Sequence, residues 1–208
     1  MLKSLEIIFI YGKAVYYMIN MAKVLILTGD AGESLEVMYP LQRMKEEGFN
    51  VDIAAPERKK IQLVVHDFED GFDTYTEKLG YKIQADVAFK DVDPSKYDAL
   101  IIPGGRAPEY IRNDPDFIRI VKYFFKHDVP VAELCHAPLG LAAAGVLRGR
   151  KTAAYPALKP DIVIAGGEFI DSAAVIDKNL VSARAWPDHP EWMRAFIKLL
   201  REKDLMGK

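Results

Sequence analysis

Cys135 is the only cysteine among 208 residues, and it stands where a thiol can do chemistry. In the stretch VPVAELCHAPLGLAAAG, Val129 to Leu134 reads as a short buried strand and Pro138 to Ala144 as an apolar, alanine-rich helix closed by Gly145. Cys135 and His136 therefore occupy the turn between them. Such a turn holds its residue in a tight, strained backbone and aims helix amides and the positive end of the helix dipole at the side chain. That environment favours thiolate over thiol. The geometry is that of a nucleophile elbow with cysteine as the nucleophile. A lone cysteine elsewhere reads as a small buried hydrophobe, so the argument for chemistry rests on this location.

The elements before the elbow bring further groups to the same place. Lys23 to Thr28 is a continuous apolar run of strand length, typical of a strand covered on both faces. After the loop Gly29 to Glu33, Ser34 with Leu35, Val37, Met38, Leu41 and Met44 forms an amphipathic helix ending at Gly48. Open α/β sheets bind ligands outside the carboxyl ends of their strands, so Glu33 and Cys135 are expected to face one crevice. Glu33 and Glu36 also suit a helix N-terminus simply as negative charge. Asp98 to Pro103 is the next buried strand, and Gly104 and Gly105 after it let the backbone approach a ligand. Their amides are candidate oxyanion donors. With Arg106 and Tyr155 they make up the expected oxyanion and substrate-binding set.

Other segments frame this core. Val51 to Ala55 is a strand, after which Pro56 to Lys82 loses the βα rhythm and reads as an inserted lobe or lid over about residues 57–82. Its His66, Asp67, Glu69, Asp70 and Asp73 match no calcium-loop spacing, and we expect neither metal nor cofactor. Asn113-Asp114-Pro115 signals a helix start, with the helix running to about Lys126. A strand near Lys151 to Tyr155, a helix near Leu158 to Ala165 and a hairpin of Ala173 to Ile176 with Leu180 to Arg184 follow. Asp188-His189-Pro190-Glu191 resembles a capping box opening the last helix, which points to a structural or site-supporting role for His189 rather than that of a catalytic base. Residues 1–21 are read as an extension that packs on the surface or at a subunit contact, and residues 22–205 as a single α/β domain.

Composition excludes several roles. With 28 Lys plus Arg against 30 Asp plus Glu and no dense basic block, a nucleic-acid partner is not expected. Half the residues are hydrophobic, so disorder is excluded. Uncharged runs in the first twenty residues, such as Ile7 to Tyr11, are far short of the roughly 18 to 20 needed to span a bilayer. One cysteine can form neither an internal disulfide nor a cysteine-rich zinc site, which fits the cytoplasm.

Three stretches, LTGDAGESLE, IIPGGRAPE and AELCHAP with its following AAGVLRGRK, resemble the superfamily of PfpI-type intracellular proteases and parkinsonism-associated deglycases. HDFEDGFDTYTEKLGY and ARAWPDHPEW are similar to its branch of cofactor-independent glyoxalases. The resemblance implies a flavodoxin-like α/β sandwich with a central, mostly parallel sheet, and homodimers or higher homo-oligomers. It also implies Cys135 as nucleophile, Glu33 as its hydrogen-bonded carboxyl partner, and amides of Gly105 and His136 lining an oxyanion site. Glu109 is implied to orient His136 across a subunit contact. Glu133 and Ala137 depart from the pattern, which usually has a small residue and a glycine there. A carboxylate at Glu133, two residues before Cys135 on the strand, is expected to share its face and raise the thiol pKa.

Three functions are consistent with these residues. A cofactor-free glyoxalase or deglycase would convert methylglyoxal-like 2-oxoaldehydes to lactate through attack by Cys135. An intracellular cysteine peptidase would use Cys135, His136 and Glu109 as a triad-like set on a peptide. A redox-sensing or chaperone-like stress protein would oxidise Cys135 instead.

Overall fold

The computed structural model describes residues 4–10, 13–19 and 22–206, with side chains from residue 22 onward. β1 (Ser4–Ile10) and β2 (Lys13–Ile19) pair as an antiparallel hairpin. The packing expected of residues 1–21 on a surface or a subunit contact lies outside the described residues. β3 (Lys23–Leu27) opens the α/β part, followed by α1 (Ser34–Glu46), β4 (Asn50–Ala55) and the hairpin of β5 (Lys60–Asp67) and β6 (Thr76–Gln84). Next come β7 (Val87–Ala88), β8 (Ala99–Ile102), α2 (Ala107–Ile111), α3 (Pro115–Lys126), β9 (Val131–Leu134) and α4 (Pro138–Ala143). The described chain closes with β10 (Lys151–Thr152), α5 (Lys159–Ile164), β11 (Glu168–Phe169), β12 (Val175–Asp177), β13 (Leu180–Ala183) and α6 (His189–Glu202).

Seven strands form the central sheet in the order β12-β13-β9-β8-β3-β4-β7. Every neighbouring pair is parallel except the edge hairpin β12–β13. Alternate residues of each inner strand feed opposite faces, as the period of two demands. Leu25, Leu27, Leu100, Ile102 and Val131 pack with Phe117, Ile120, Val121 and Phe124 of α3. Val24, Ile26, Ala99, Ile101 and Ala132 pack instead with Val37 and Met44 of α1 and with Trp192, Met193 and Phe196 of α6. The result is a flavodoxin-like three-layer sandwich. Each of the fully buried Val, Leu, Ile, Phe and Met side chains among these contributes about 1.5–3 kcal/mol relative to exposure, which keeps the strand ends still enough to carry a site.

The inserted segment is more ordered than a loose lid. Ile61, Leu63 and Val64 of β5 are buried, and Val64 N donates to Gly32 O at 2.9 Å. The capping box at the last helix does not form. Asp188 holds Arg184 through two bonds of 2.8 and 3.0 Å and accepts no helix amide, because the arginine competes for its carboxylate. The strand expected from Lys151 to Tyr155 shortens to Lys151–Thr152, since the following residues turn inward to the site. Among the described residues, no helix is long and apolar enough to cross a membrane.

Candidate active site

β3, β8 and β9 all end on the same edge of the sheet, so their following loops converge. Gly105 is central to that convergence: its φ is 73°, and a Cβ there would lie 2.3 Å from Glu33 N and 2.4 Å from Ala31 O. Only glycine satisfies both conditions. Gly104 is equally confined, since a Cβ would sit 2.5 Å from Cys135 Cβ, 2.7 Å from Glu36 Oε2 and 2.8 Å from His136 N.

Cys135 itself has φ 59°, a left-handed conformation that costs an L-residue roughly 1–2 kcal/mol. The strain is held by bonds on both sides: Cys135 N donates to Ala183 O at 3.3 Å, and Tyr155 N donates to Cys135 O at 3.1 Å. This backbone turn solves a problem of direction. Adjacent side chains diverge in regular structure, yet here Cys135 Sγ lies 3.1 Å from His136 Nδ1.

The carboxyl that meets the thiol is Glu36, not Glu33. Glu33 caps α1, its Oε2 accepting from Glu36 N at 2.8 Å, while its Oε1 lies 3.5 Å from the His66 amide. One helical turn on, Glu36 is fully buried and points back toward the strand ends. Its Oε2 accepts from Gly104 N at 2.8 Å, and the carboxyl shares a hydrogen bond with Cys135. Of the two glycine amides proposed as donors, Gly104's is therefore taken by Glu36. Those of Gly105 and His136 face the sulfur.

Burial pushes Glu36 up to about 8, reinforced by the charge of Glu33. Burial and Glu36 likewise push the Cys135 thiol well above its ordinary range, against the opposing pull of the two amides. The expectation that the helix end favours thiolate is thus overturned at rest. The helix is only six residues long, and the thiol is 4% exposed. The two groups behave as one coupled acid pair that retains protons at neutral pH.

This arrangement has a consequence for stability. The folded protein keeps a proton on Glu36 that the unfolded chain releases above about pH 4.5. The stabilisation is complete below that pH and is lost as pH rises through about 8. Urea midpoints should fall between about pH 5 and pH 8, and Glu36→Gln should flatten the decline. An unchanged slope in that variant would contradict the assignment. His136 and His189, both lowered to about 4 by burial, act in the opposite direction, losing stability as pH falls.

An aromatic shell covers the pair. The His136 ring stacks on Tyr155 at 5.2 Å and 20°, and Tyr75 meets it edge-on at 5.7 Å. Tyr75 in turn stacks on His66 at 4.1 Å. Glu77 fastens this hairpin to the glycine loop, bonding His66 Nε2 at 2.9 Å and Arg106 through two contacts of 2.6 and 2.7 Å. Trp186 Nε1 donates to His66 O at 3.1 Å from the other side. Arg106 therefore clamps the roof rather than pointing at the thiol. Sequence reasoning missed Glu36, His66, Tyr75 and Trp186. Only Glu36 carried a usable signal, its i+3 spacing from Glu33.

Glu109 is exposed on α2, and among the described residues no hydrogen bond or ion pair joins it to His136. Its charge is felt at Tyr75, which burial chiefly pushes up to about 12. Glu133 is buried against Thr152, and Ala137 takes the N-cap of α4 in helical conformation. His189 stacks between Tyr39 at 4.9 Å and Trp192 at 5.7 Å.

A model of the DJ-1/PfpI family matches residues 22–199. The chain is 45% identical over 179 residues to a deglycase of Thermococcus kodakarensis, covering 86% of this chain and 99% of that one. It is 41% identical to deglycase PfpI of Pyrococcus furiosus, again covering 86% and 99%. A two-domain protein of Anabaena variabilis, with DJ-1/ThiJ/PfpI-like and ferritin-like domains, superposes with a TM-score of 0.77 at 29% identity. That match covers 86% of this chain and 48% of the other.

Proposed function

Because the chain belongs to the DJ-1/PfpI family, we propose that it is a cysteine enzyme of the glyoxalase or deglycase type, converting 2-oxoaldehydes such as methylglyoxal to 2-hydroxy acids. The observation that carries this reading is a nearly buried thiol, 3.1 Å from the His136 imidazole and hydrogen-bonded to the buried Glu36 carboxyl, under a roof of aromatic rings. A small aldehyde fits beneath such a roof more readily than a peptide chain.

In this reading Cys135 Sγ adds to the aldehyde carbon, forming the S–C bond while the thiol proton passes by way of His136 Nδ1 or Glu36 to the carbonyl oxygen. The amides of Gly105 and His136 stabilise the charge that develops during addition. The ionised form of Glu36 takes the proton from the former aldehyde carbon while the neighbouring carbonyl oxygen gains one, giving an enediol. Protonation of the neighbouring carbon, with loss of the hydroxyl proton on the former aldehyde carbon, leaves a thioester on Cys135, with the substrate's own two carbons exchanging oxidation level. Water then releases the 2-hydroxy acid and returns the thiol. Glu36, with its proton affinity set near neutrality, is suited to carry the proton in both directions.

Glu109 acts from a neighbouring copy in this account, where it orients His136. Random one-to-one assembly of Cys135→Ser and Glu109→Ala subunits should then restore about a quarter of wild-type sites, because about half of the pairs are mixed and one of the two sites in each mixed pair has neither lesion. Co-expressed mixed oligomers no faster than either parent would count against a shared site.

The activity itself is tested by measuring lactate from methylglyoxal beside cleavage of a fluorogenic peptide on the same preparation. Lactate formation is expected. Peptide cleavage without lactate would reject the reading in favour of a peptidase.

A further inference from the structure

Glu133 is a buried titratable group that the proposed reaction does not use. Its side chain is completely enclosed, two residues before Cys135 on β9. Thr152 Oγ1 lies 2.6 Å from Glu133 Oε1 and 3.1 Å from Ala153 O, while Glu133 Oε2 is buried without a partner. The adjacent residue in register, Ser182 of β13, accepts the Ala153 amide at 2.8 Å. Two buried side chains of the sheet thus grip Thr152 and Ala153. Two residues later, Tyr155 bonds the Cys135 carbonyl and stacks on His136.

The hydrogen count decides the state of the carboxyl. A threonine hydroxyl has one hydrogen, and here it faces two acceptors if Glu133 is ionised. The anion would also be buried with no cation beside it among the described residues, the other titratable group acting on it being a second acid, Glu36. If Glu133 carries a proton, both contacts are satisfied: the carboxyl donates to Thr152 Oγ1, and Thr152 donates to Ala153 O. Only a carbonyl-type oxygen is then left unpaired, a far smaller penalty than a buried charge.

We propose that Glu133 is a neutral carboxylic acid that serves as a positioning residue: through Thr152 it anchors the segment that sets the Tyr155 ring over His136. It rests on Cys135 and His136 being the reactive pair, but not on which substrate they act upon. It also reverses the expectation that Glu133 repels the thiolate, since a neutral acid does not.

Two readouts independent of turnover test this. In the infrared, the difference between wild type and Glu133→Gln at neutral pH should contain the carbonyl stretch of a protonated carboxylic acid. Its absence overturns the proposal. In NMR titrations, His136 should keep its lowered midpoint of about 4 in Glu133→Gln, whose amide still donates to Thr152. The midpoint should rise toward the ordinary value near 6.5 in Glu133→Ala and Thr152→Val as Tyr155 is released. Where lactate can be assayed, kcat should fall between about tenfold and a hundredfold in those two variants and stay within about twofold in Glu133→Gln. A Glu133→Gln protein that shifts like Glu133→Ala overturns the positioning role. Should lactate be absent from wild type, the infrared and NMR arms still decide the matter.

Discussion

Cys135→Ser is expected to lower lactate production from methylglyoxal by at least about a thousandfold while leaving the fold in place. The backbone at this position is held by the Ala183 carbonyl and the Tyr155 amide, neither of which involves the sulfur. Serine is close in size and changes only the atom that attacks. Circular dichroism and the urea midpoint should therefore match wild type. Its hydroxyl is a far weaker nucleophile near neutral pH, and His136, lowered to about 4 by burial, is too weak a base to activate it. Turnover by a well-folded Cys135→Ser or Cys135→Ala protein at wild-type rate would remove the nucleophile from the account.

The second large effect separates two glutamates one helical turn apart. Glu36→Gln should reduce kcat by about 10²- to 10⁴-fold, since the amide can still take the Cys135 contact but cannot carry a proton. Glu33→Gln should leave kcat within a few fold of wild type. Its expected cost is to stability, about 1 kcal/mol for a weakened helix cap, read as a lower urea midpoint. The reverse pattern, with Glu33→Gln inactive and Glu36→Gln active, would show that the cap and not the buried acid moves the proton.

That pair of residues also shows how far the sequence could be read. The strands, their carboxyl-end loops and the elbow follow from short apolar runs ended by Gly104, Gly105 and Gly145, because period and turn chemistry are local properties. The structure has all of these in one three-layer sandwich. Which carboxyl reaches the thiol is not local. Glu33 lies nearest the strand end in the chain, but the first turn of α1 uses its side chain as a cap and turns Glu36 inward. Proximity in sequence picked the wrong member of an i, i+3 pair.

The same limit explains the other differences. Asp188 has the spacing of a cap, yet Arg184 four residues earlier claims it. The aromatic roof comes from the β5–β6 hairpin, from Tyr155 and from Trp186, brought together only by the tertiary fold. The state of the thiol was misjudged because the positive end of a short helix was weighed without the burial that outweighs it. Glu133 stood out from its sequence position alone, but its meaning depends on Thr152, nineteen residues away.

The central claim is that Cys135 captures the aldehyde covalently and Glu36 then moves the proton. Native mass spectrometry of Glu36→Gln incubated with methylglyoxal tests both halves at once. One added aldehyde per site should accumulate without lactate, and the Cys135→Ser, Glu36→Gln double variant should lack that adduct. Lactate at the wild-type rate from Glu36→Gln, or an adduct that persists undiminished in the double variant, would contradict the account.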